Sequence, residues 1–315
     1  MQNSASIVVV LGTGGTIAGT AVQAGDNLGY TAAQLGVAQL VAAIPALAGS
    51  PIEAEQIAQL DSKDMSFAVW HALALAASRQ LARSEVCGIV ITHGTDTLEE
   101  TAYFLQRVLA PSKPVVLVAA MRPATSVQAD GPQNLLDAVA VVRSPGATGV
   151  VAVLAGTVHG ALDVRKVHPY RLDAFGSGDA GPLAHVEEGR LRQHRVWPTG
   201  VAFGLARLPQ GGAQWPLVEI VTSHAGSNPA LVHALRDLGV RGIVVAGTGN
   251  GSVHSALEAA LLEAQAAGVA ILRCTRCLNG SVIDPTPPAL PSAGALTPVQ
   301  ARVELMLQLL AQRVR

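Results

Sequence analysis

Continuous apolar runs of strand length alternate with helix-like patterns along the first half of the chain. The runs are SIVVVLG, GIVIT, PVVLVAA and GVVAVLAG, and the predicted helices span residues 65–82, 98–109 and 131–142. A strand that is apolar at every position needs cover on both faces, whereas a half-exposed strand alternates apolar and polar residues. The pattern therefore predicts a parallel sheet between two layers of helices, which is an α/β fold.

A second, smaller set of the same kind follows an irregular stretch that begins near residue 190 and is rich in glycine and proline. Its apolar runs are LVEIVTS, GIVVAGTG and VAILRCT, and its predicted helices span residues 229–238, 253–267 and 298–313. Composition changes of this kind mark the linkers between domains. We expect a larger N-terminal α/β domain at 1–195, a linker at 196–215 and a smaller C-terminal α/β domain at 216–315, both with parallel-type sheets.

Composition and charge limit the kind of partner. The chain has 315 residues, of which 50% are hydrophobic but only 3% aromatic, so its core must consist of aliphatic side chains. The net charge of -1 and the lack of a dense basic run predict no binding to nucleic acid or to a membrane. No stretch approaches the roughly 20 apolar residues that span a bilayer. The first residues lack a charged and apolar leader, which predicts the cytoplasm, or the periplasm if a leader has been removed.

Three cysteines are present, at positions 87, 274 and 277. An odd and small number does not indicate a disulfide framework in a chain of this size. Cys274 and Cys277 form a C-x-x-C pair, but a zinc site would need two more ligands at suitable spacing. We therefore favour two small residues at the end of a strand over a metal or redox site.

Three polar or glycine-rich stretches follow predicted strands directly. They are GTGGTIAGT, THGTDT and AAMRP. In open parallel sheets, ligands bind beyond the carboxyl ends of the strands. All three stretches should therefore lie on one edge of the sheet and form the functional site.

The first of these stretches does not fit a phosphate-binding loop. A dinucleotide fingerprint needs glycine where Ile17 stands, and a P-loop needs a Gly-Lys-Ser/Thr ending. The chain also lacks the G-x-S-x-G elbow of the α/β-hydrolases. The hydroxyl groups left on this edge belong to threonines and to Tyr30, and a hydroxyl nucleophile needs a proton acceptor nearby. Thr16 is either such a group or a helix cap.

The second stretch carries more polar groups than a turn requires. Thr95 or Thr97 could cap the helix that follows, and Asp96 and the two glutamates after it suit the positive end of the helix dipole. His93 is either an acid–base catalyst or a local hydrogen-bonding residue, and the tight turn favours the second interpretation. Helix capping alone does not account for all the polar side chains in this stretch.

The segments GTGGTIAGT and GIVITHGTDTLEETAYFL, in this order and spacing, resemble the signatures of the bacterial-type L-asparaginases and glutaminase-asparaginases. The likeness covers nearly the whole chain and continues through GYTAAQLGVAQLV, LDSKDMS, KPVVLVAAMRPATSVQADGPQNL, GIVVAGTGNGSV and GALTPVQARVELMLQLL. The resemblance implies a two-domain fold, no cofactor and a homotetramer built as a dimer of dimers. It also implies that each active site lies mainly in one N-terminal domain and is completed by the partner's C-terminal domain.

The resemblance also implies the catalytic residues. Thr16 matches the nucleophilic threonine, and Tyr30 matches the loop tyrosine that assists it. Thr95, Asp96 and Lys166 match a second group, in which Lys166 can exchange a proton through Thr95. The backbone N–H of Thr95, at a helix start, can stabilise an oxyanion. The sequence does not decide which threonine attacks first.

Substrate contacts follow from the same resemblance. Ser62 matches the residue that holds the α-carboxylate of the substrate. Asp96 also matches the group that holds its α-ammonium. Ala120 matches the residue whose backbone contacts the leaving amide.

The chain departs from the family at three positions that place the amino end of the substrate. Lys63 stands where the secreted members have glutamine, Gly226 stands for an asparagine of the partner subunit, and Asp284 is a weak counterpart of a partner glutamate. A lysine near the substrate ammonium would repel it. Either the amino-group pocket is altered, or Lys63 turns away and pairs with Asp64 or solvent.

These observations predict an amidohydrolase that converts L-asparagine to L-aspartate and ammonia through a threonine acyl-enzyme. One alternative is a related ω-amidase with an altered amino-group pocket, acting on another small amide such as succinamate. Another is a non-catalytic amino-acid-binding protein on the same scaffold. A Rossmann oxidoreductase is disfavoured by the broken dinucleotide fingerprint.

Overall fold

The computed structural model describes residues 6–23, 25–210, 215–284 and 289–312. They form two compact units, one up to Leu205 and one from Ala206. This boundary lies inside the segment 196–215 that the sequence marks as irregular. Each unit is an α/β layer structure with a parallel-type sheet, which confirms the predicted fold class.

An eight-stranded sheet dominates the first unit. Its strands, in spatial order, are β12 (Arg190–Gln193), β11 (Ala184–Glu187), β8 (Thr157–Gly160), β7 (Val150–Leu154), β6 (Val115–Val118), β5 (Val86–Thr92), β1 (Ile7–Gly14) and β4 (Ile52–Leu60). The five strands from β7 to β4 are parallel, and β8, β11 and β12 extend the sheet in antiparallel fashion. Two short hairpins pair β2 (Thr20–Ala21) with β3 (Tyr30–Thr31) and β9 (Arg165–Lys166) with β10 (Phe175–Gly176).

Within the described part of the first unit, four α-helices accompany this sheet. They are α1 (Val37–Ala42), α2 (Phe67–Leu81), α3 (Leu98–Leu109) and α4 (Gly131–Val142). The bounds of α3 and α4 agree with the prediction. Helix α2 begins two residues later than predicted, because the side chain of Ser66 accepts a hydrogen bond from Val69 N–H and so caps the helix there. Val8, Val10 and Val90 in the central strands are fully buried, as expected for a sheet covered on both faces.

The order of the parallel strands reverses beside β1. From β1 the chain passes to β4 on one side and then to β5 on the other side, from where β6 and β7 continue outward. At such a reversal the two connections leave the sheet in opposite directions and open a crevice at the carboxyl ends of the strands. The turns after β1 and β5 lie at this position.

The second unit contains a parallel sheet of three strands in chain order: β13 (Val218–Thr222), β14 (Gly242–Gly247) and β15 (Ala270–Thr275). Its α-helices are α5 (Ala230–Asp237), α6 (Ser255–Ala266) and α7 (Pro298–Gln312). The prediction for α7 extended to residue 313, which lies outside the described residues. None of the helices in the described part of the chain is long and apolar enough to cross a membrane.

The C-x-x-C pair ends the last strand of the second unit. Cys274 is buried, and burial raises the pKa of its thiol to about 12, whereas Cys277 is exposed. Over the described ranges, no three His, Cys, Asp or Glu side chains cluster as metal ligands would. Cys274 therefore behaves as a small core residue.

Candidate active site

Glycines allow three turns at the edge of the first sheet to touch. Gly15 has φ +83°, and a Cβ atom there would lie 2.4 Å from the Cα atom of Gly94. A Cβ atom at Gly94 would lie 2.4 Å from Oγ of Ser62. The N–H of Gly15 also donates to the carbonyl of Leu60 at 2.9 Å. The turns after β1, β4 and β5 are thus packed closer than any side chain would permit.

Thr16 pairs with Tyr30 just after β1. The hydroxyl groups of the two residues are 2.7 Å apart. Thr16 is 8% exposed and opens a short 3-10 helix in which no side chain makes a capping bond. Tyr30 lies on the β2–β3 hairpin, so a chain excursion of 14 residues brings the phenol back to the threonine. The hydroxyl of Thr16 is not used as a helix cap.

A second threonine pairs with a lysine after β5. Lys166 Nζ donates to Thr95 Oγ1 at 2.9 Å and to Asp96 Oδ1 at 2.6 Å. Thr95 is buried, the side chain of Lys166 is 21% exposed and that of Asp96 is half exposed. The ammonium group therefore lies between a buried hydroxyl and a carboxylate that reaches solvent. This arrangement links Thr95 to a group that can exchange protons.

The capping interpretation of the two threonines in this turn is wrong. Thr97 occupies the N-cap position of α3, but its side chain makes no capping bond. Its Oγ1 instead donates to the carbonyl of Ser62 at 2.8 Å. The hydroxyl of Thr95 is engaged with Lys166.

Ser62 connects the turn after β4 to the turn after β5. It is 2% exposed, and its Oγ accepts a hydrogen bond from Asp96 N–H at 3.1 Å. Because Oγ is the acceptor here, the hydroxyl proton can be donated to a further group. Ser62 thus lies beside Asp96, as the resemblance requires of two residues that hold one substrate.

The ammonium group of Lys63 is held by its neighbours. Its Nζ lies 2.8 Å from an oxygen of Asp64 and 3.1 Å from one of Asp61. Hydrogen bonds from Asp64 first and Asp61 second raise the pKa of Lys63. The side chain is 60% exposed. The charge is therefore compensated locally, in agreement with the alternative in which Lys63 pairs with Asp64.

Ala120 lies just beyond β6 and is fully buried. The next two backbone N–H groups, those of Met121 and Arg122, donate to the carboxylate of Asp130 at 3.0 and 2.9 Å. Asn134 donates to the carbonyl of Ala119 at 2.9 Å. The backbone on both sides of Ala120 is thus fixed by side chains at the start of α4.

His93 belongs to a buried structural chain. Trp70 Nε1 donates to Thr101 Oγ1 at 2.9 Å, which lies 3.0 Å from His93 Nε2. His93 Nδ1 lies 2.6 Å from the carbonyl of Gly94, which can only accept, so Nδ1 carries the proton. Burial lowers the pKa of His93 to about 4. The ring is neutral at pH 7 and makes local hydrogen bonds, which supports the second of its two interpretations.

Glu99 is a site residue that the sequence analysis missed. Its Oε2 accepts a hydrogen bond from the backbone N–H of Lys166 at 2.9 Å. Burial raises the pKa of Glu99 to about 7. The only signal in the sequence is a glutamate in the first turn of a helix, which is common because it suits the helix dipole.

The two remaining candidates lie in the second unit. Gly226 has φ +71°, and a Cβ atom there would meet nothing within 4 Å. Asp284 accepts hydrogen bonds from Arg273 and, at 2.5 Å, from Ser292 Oγ. Asp284 is therefore already bonded within its own unit.

The fold and the site define a class of protein. Two buried threonine hydroxyls lie at the switch point of a parallel α/β sheet, one against a phenol and one against an ammonium–carboxylate pair. Hydroxyl groups in such surroundings are typical of enzymes that form covalent acyl intermediates.

Comparison with known proteins also indicates a class of enzyme. Residues 7–198 match the domain family described as "Asparaginase, N-terminal", and residues 217–314 match "Glutaminase/Asparaginase C-terminal domain". L-asparaginase 2 of Escherichia coli strain K12 is 36% identical over 314 residues, covering 96% of this chain and 88% of the relative. Glutaminase-asparaginase of Pseudomonas fluorescens biotype A is 37% identical over 279 residues, covering 88% of this chain and 77% of the relative.

A solved structure is similar as well. The crystal structure of a probable cytoplasmic L-asparaginase from Campylobacter jejuni has a TM-score of 0.89 and 36% identity, covering 96% of this chain and 95% of that chain. The chain belongs to the asparaginase family.

Proposed function

We propose that the protein hydrolyses L-asparagine to L-aspartate and ammonia through an acyl-enzyme on Thr16. The observation that carries the proposal is the placement of the Thr16–Tyr30 and Thr95–Lys166–Asp96 groups at one switch point. Family membership and the activities named for the relatives support it.

The chemistry follows from these contacts. Thr16 Oγ attacks the amide carbon as its proton passes to Tyr30, whose hydroxyl oxygen is 2.7 Å away and whose own hydroxyl proton passes on to the amide nitrogen. The backbone N–H of Thr95 stabilises the oxyanion. The C–N bond then breaks, the proton leaves with ammonia, and an ester to Thr16 remains. Water then attacks the ester carbon as its proton passes to Thr95, the hydroxyl proton of Thr95 passes to Lys166, and a proton of Lys166 passes to the carboxylate of Asp96. The ester C–O bond breaks as a proton returns to Thr16 Oγ, which releases aspartate and restores the hydroxyl group.

The same edge of the sheet holds the substrate. Ser62 binds the α-carboxylate, Asp96 the α-ammonium, and the backbone of Ala120 the leaving amide. No step requires a cofactor. Because Asp61 and Asp64 compensate the charge of Lys63, asparagine is favoured over an amide that lacks the α-amine.

The assembly and the compartment belong to this proposal too. We expect a homotetramer, a dimer of dimers, in which the C-terminal domain of a partner completes each site, and a cytoplasmic location. Light scattering of the purified protein tests the tetramer, and fractionation of the source cells tests the compartment.

Ammonia release tests the activity. The purified protein is assayed with asparagine, glutamine, D-asparagine and succinamate, beside Thr16→Ala and the hydroxyl-retaining control Thr16→Ser. We expect the fastest turnover with asparagine, a loss of about 10^3-fold or more in Thr16→Ala, and partial activity in Thr16→Ser. Better turnover of succinamate than of asparagine would instead indicate an ω-amidase. No turnover of any amide would indicate a binding protein.

A further inference from the structure

The strand that carries Lys166 is too short to hold it in place by itself. Strand β9 has two residues, Arg165 and Lys166, and among the described residues it pairs with the two-residue strand β10 alone. Isolated two-stranded ribbons are marginally stable even when they are longer. Yet the Nζ atom of Lys166 meets two acceptors, Thr95 and Asp96, at 2.9 and 2.6 Å. A further contact must fix the main chain of Lys166.

The carboxylate of Glu99 makes that contact. Its Oε2 accepts the backbone N–H of Lys166 at 2.9 Å, across 67 residues of sequence. The ladder bond beside it comes from the next residue, since Val167 N–H donates to the carbonyl of Ala174 at 2.8 Å. The main chain of Lys166 is therefore tied to helix α3 by a side chain.

The main chain and the side chain of Lys166 are thereby both held at the start of α3. The side chain donates hydrogen bonds to Thr95 and Asp96, immediately before α3. The backbone N–H donates to Glu99, in the first turn of α3. We propose that Glu99 is a positioning residue for catalysis, whose carboxylate fixes the main chain of Lys166 so that Nζ reaches Thr95. This inference rests on the proposed function.

The charges around Glu99 give the proposal a pH dependence. Burial first and the charge of Glu100 second raise the pKa of Glu99, the Lys166 N–H bond and the charges of Arg165 and Lys166 lower it, and the net result is a pKa of about 7. Asp96 is the remaining carboxylate at this helix start and reaches solvent. The ionised carboxyl accepts a hydrogen bond more strongly than the protonated one. Activity should therefore rise with pH through about 7.

Stability should respond in the opposite sense. Because the pKa of Glu99 in the folded protein lies above the ordinary value of 4.5, the ionised form is less favourable in the folded than in the unfolded chain. Stability is therefore lost as pH rises from about 4.5 through 7.

Glu99→Gln separates the two effects, because it removes the charge at constant shape. We expect kcat at pH 8 to fall about tenfold, with KM unchanged within about twofold, and the rise of kcat through pH 7 to disappear. We expect the melting temperature at pH 8 to equal or exceed that of the wild type. Glu99→Ala, which has no acceptor for Lys166 N–H, should lose more in kcat.

Glu100→Gln is the matched control, since it removes the neighbouring carboxylate. It should keep the plateau of kcat and shift the rise to lower pH, because Glu100 raises the pKa of Glu99. The proposal is overturned if Glu99→Gln keeps the wild-type kcat and pH profile, or if it lowers both stability and kcat. The wild type is assayed in parallel, so that loss of the proposed function itself appears as a wild type without turnover.

Discussion

Two turns of the molecule each follow the carboxyl end of a parallel strand, but the hydroxyl groups in them have different hydrogen-bond partners. One follows β5 in the first unit and the other follows β14 in the second unit. After β5, the hydroxyl of Thr95 meets the ammonium group of Lys166. After β14, the hydroxyl of Thr248 donates to the carbonyl of Ser252 at 3.2 Å, and the carbonyl of Gly249 accepts a hydrogen bond at 2.6 Å from the hydroxyl of Thr275, at the end of β15.

The difference indicates which features distinguish a candidate catalytic site from an ordinary turn at the end of a strand. In the first unit the strand order reverses between β1 and β5, so two connections diverge and leave a crevice. In the second unit β13, β14 and β15 follow one another in chain order. Hydroxyls bonded to backbone carbonyls hold the turn together, whereas a hydroxyl bonded to an ionisable side chain can pass on a proton.

Lys166→Met gives the largest effect that this comparison predicts. The variant keeps an unbranched side chain as far as the Cε atom but removes Nζ, the proton partner of Thr95. We expect kcat for asparagine to fall about 10^3-fold, within the usual range for a lost acid–base group. Steady-state ammonia release measures it.

Lys113→Met is the control for this change. Lys113 is a partly buried lysine of the same unit, but its Nζ donates to the backbone carbonyls of Leu81 and Arg83 at 3.0 and 2.6 Å. It should lose stability and keep kcat within about twofold. Equal losses of kcat in both variants would contradict the distinction between side-chain and backbone partners.

His93→Asn should lower stability more than activity. The ring of His93 donates to the backbone carbonyl of Gly94. It therefore resembles the hydroxyl groups that hold a turn together through backbone carbonyls, and not those bonded to an ionisable side chain. We expect the free energy of unfolding to fall by about 2–3 kcal/mol at pH 7, and kcat of the folded fraction to stay within about fivefold. Urea unfolding and the ammonia assay measure the two quantities.

The pH dependence of stability gives a second test of His93. Its pKa is about 4 in the folded protein and 6.5 as the ordinary value, so the unfolded chain binds the extra proton between these limits. Its contribution is complete above pH 6.5 and is lost as pH falls toward 4. The variant should therefore lose less stability than the wild type between pH 7 and pH 5. A kcat loss of 10^3-fold at full stability would make His93 a catalytic residue after all.

Periodicity predicted the covered elements of the fold and missed the exposed ones. Helices α3 and α4 and the central strands bury whole faces, so their patterns are continuous. Strand β4 is an edge strand of nine residues with polar side chains such as Glu53 and Glu55. Strands β11 and β12 are short and half exposed. Their positions depend on pairing with distant strands, which a local pattern does not contain.

The site could be predicted only as far as its motifs extend. Thr16, Thr95 and Asp96 stand in recognisable segments, and Lys166 followed from the family resemblance. The role of Glu99 depends on its burial and on a main chain 67 residues away, so no property of its own segment indicates it. Likewise, the compensation of Lys63 by two aspartates required the local geometry.

Arg273→Met tests whether the polar contacts after the strands of the second unit serve stability. The side chain of Arg273 is 12% exposed, and its guanidinium group donates to Asp284 and to the carbonyls of Asn250 and Gly251. Removing it takes one hydrogen bond from each of these acceptors and leaves Asp284 with the bond from Ser292 but without a cation, and we expect a loss of about 2–3 kcal/mol in the free energy of unfolding. Thermal and urea unfolding measure it, with the exposed Arg276→Met as a control that should change stability by less than about 0.5 kcal/mol. A raised KM at unchanged stability would instead indicate that this loop acts on the substrate.

Lys63→Gln should have the smallest effect. The substitution restores the residue of the secreted relatives and removes an ammonium group near the expected amino-group pocket. Because Asp61 and Asp64 already compensate that charge, we expect the ratio of kcat/KM for asparagine to that for succinamate to change by less than about threefold. The two amides differ only in the α-amine, so the ratio isolates the amino-group contact.

Asp64→Asn sharpens this test, since it removes the nearer of the two carboxylates and keeps the lysine. The ammonium group of Lys63 would then be held by Asp61 alone, at 3.1 Å. The preference for asparagine should fall further in this variant than it changes in Lys63→Gln, because a less compensated charge repels the substrate ammonium. A tenfold gain in asparagine preference on Lys63→Gln itself would show that Lys63 already repels the substrate, and the altered amino-group pocket would then be the better description of this protein.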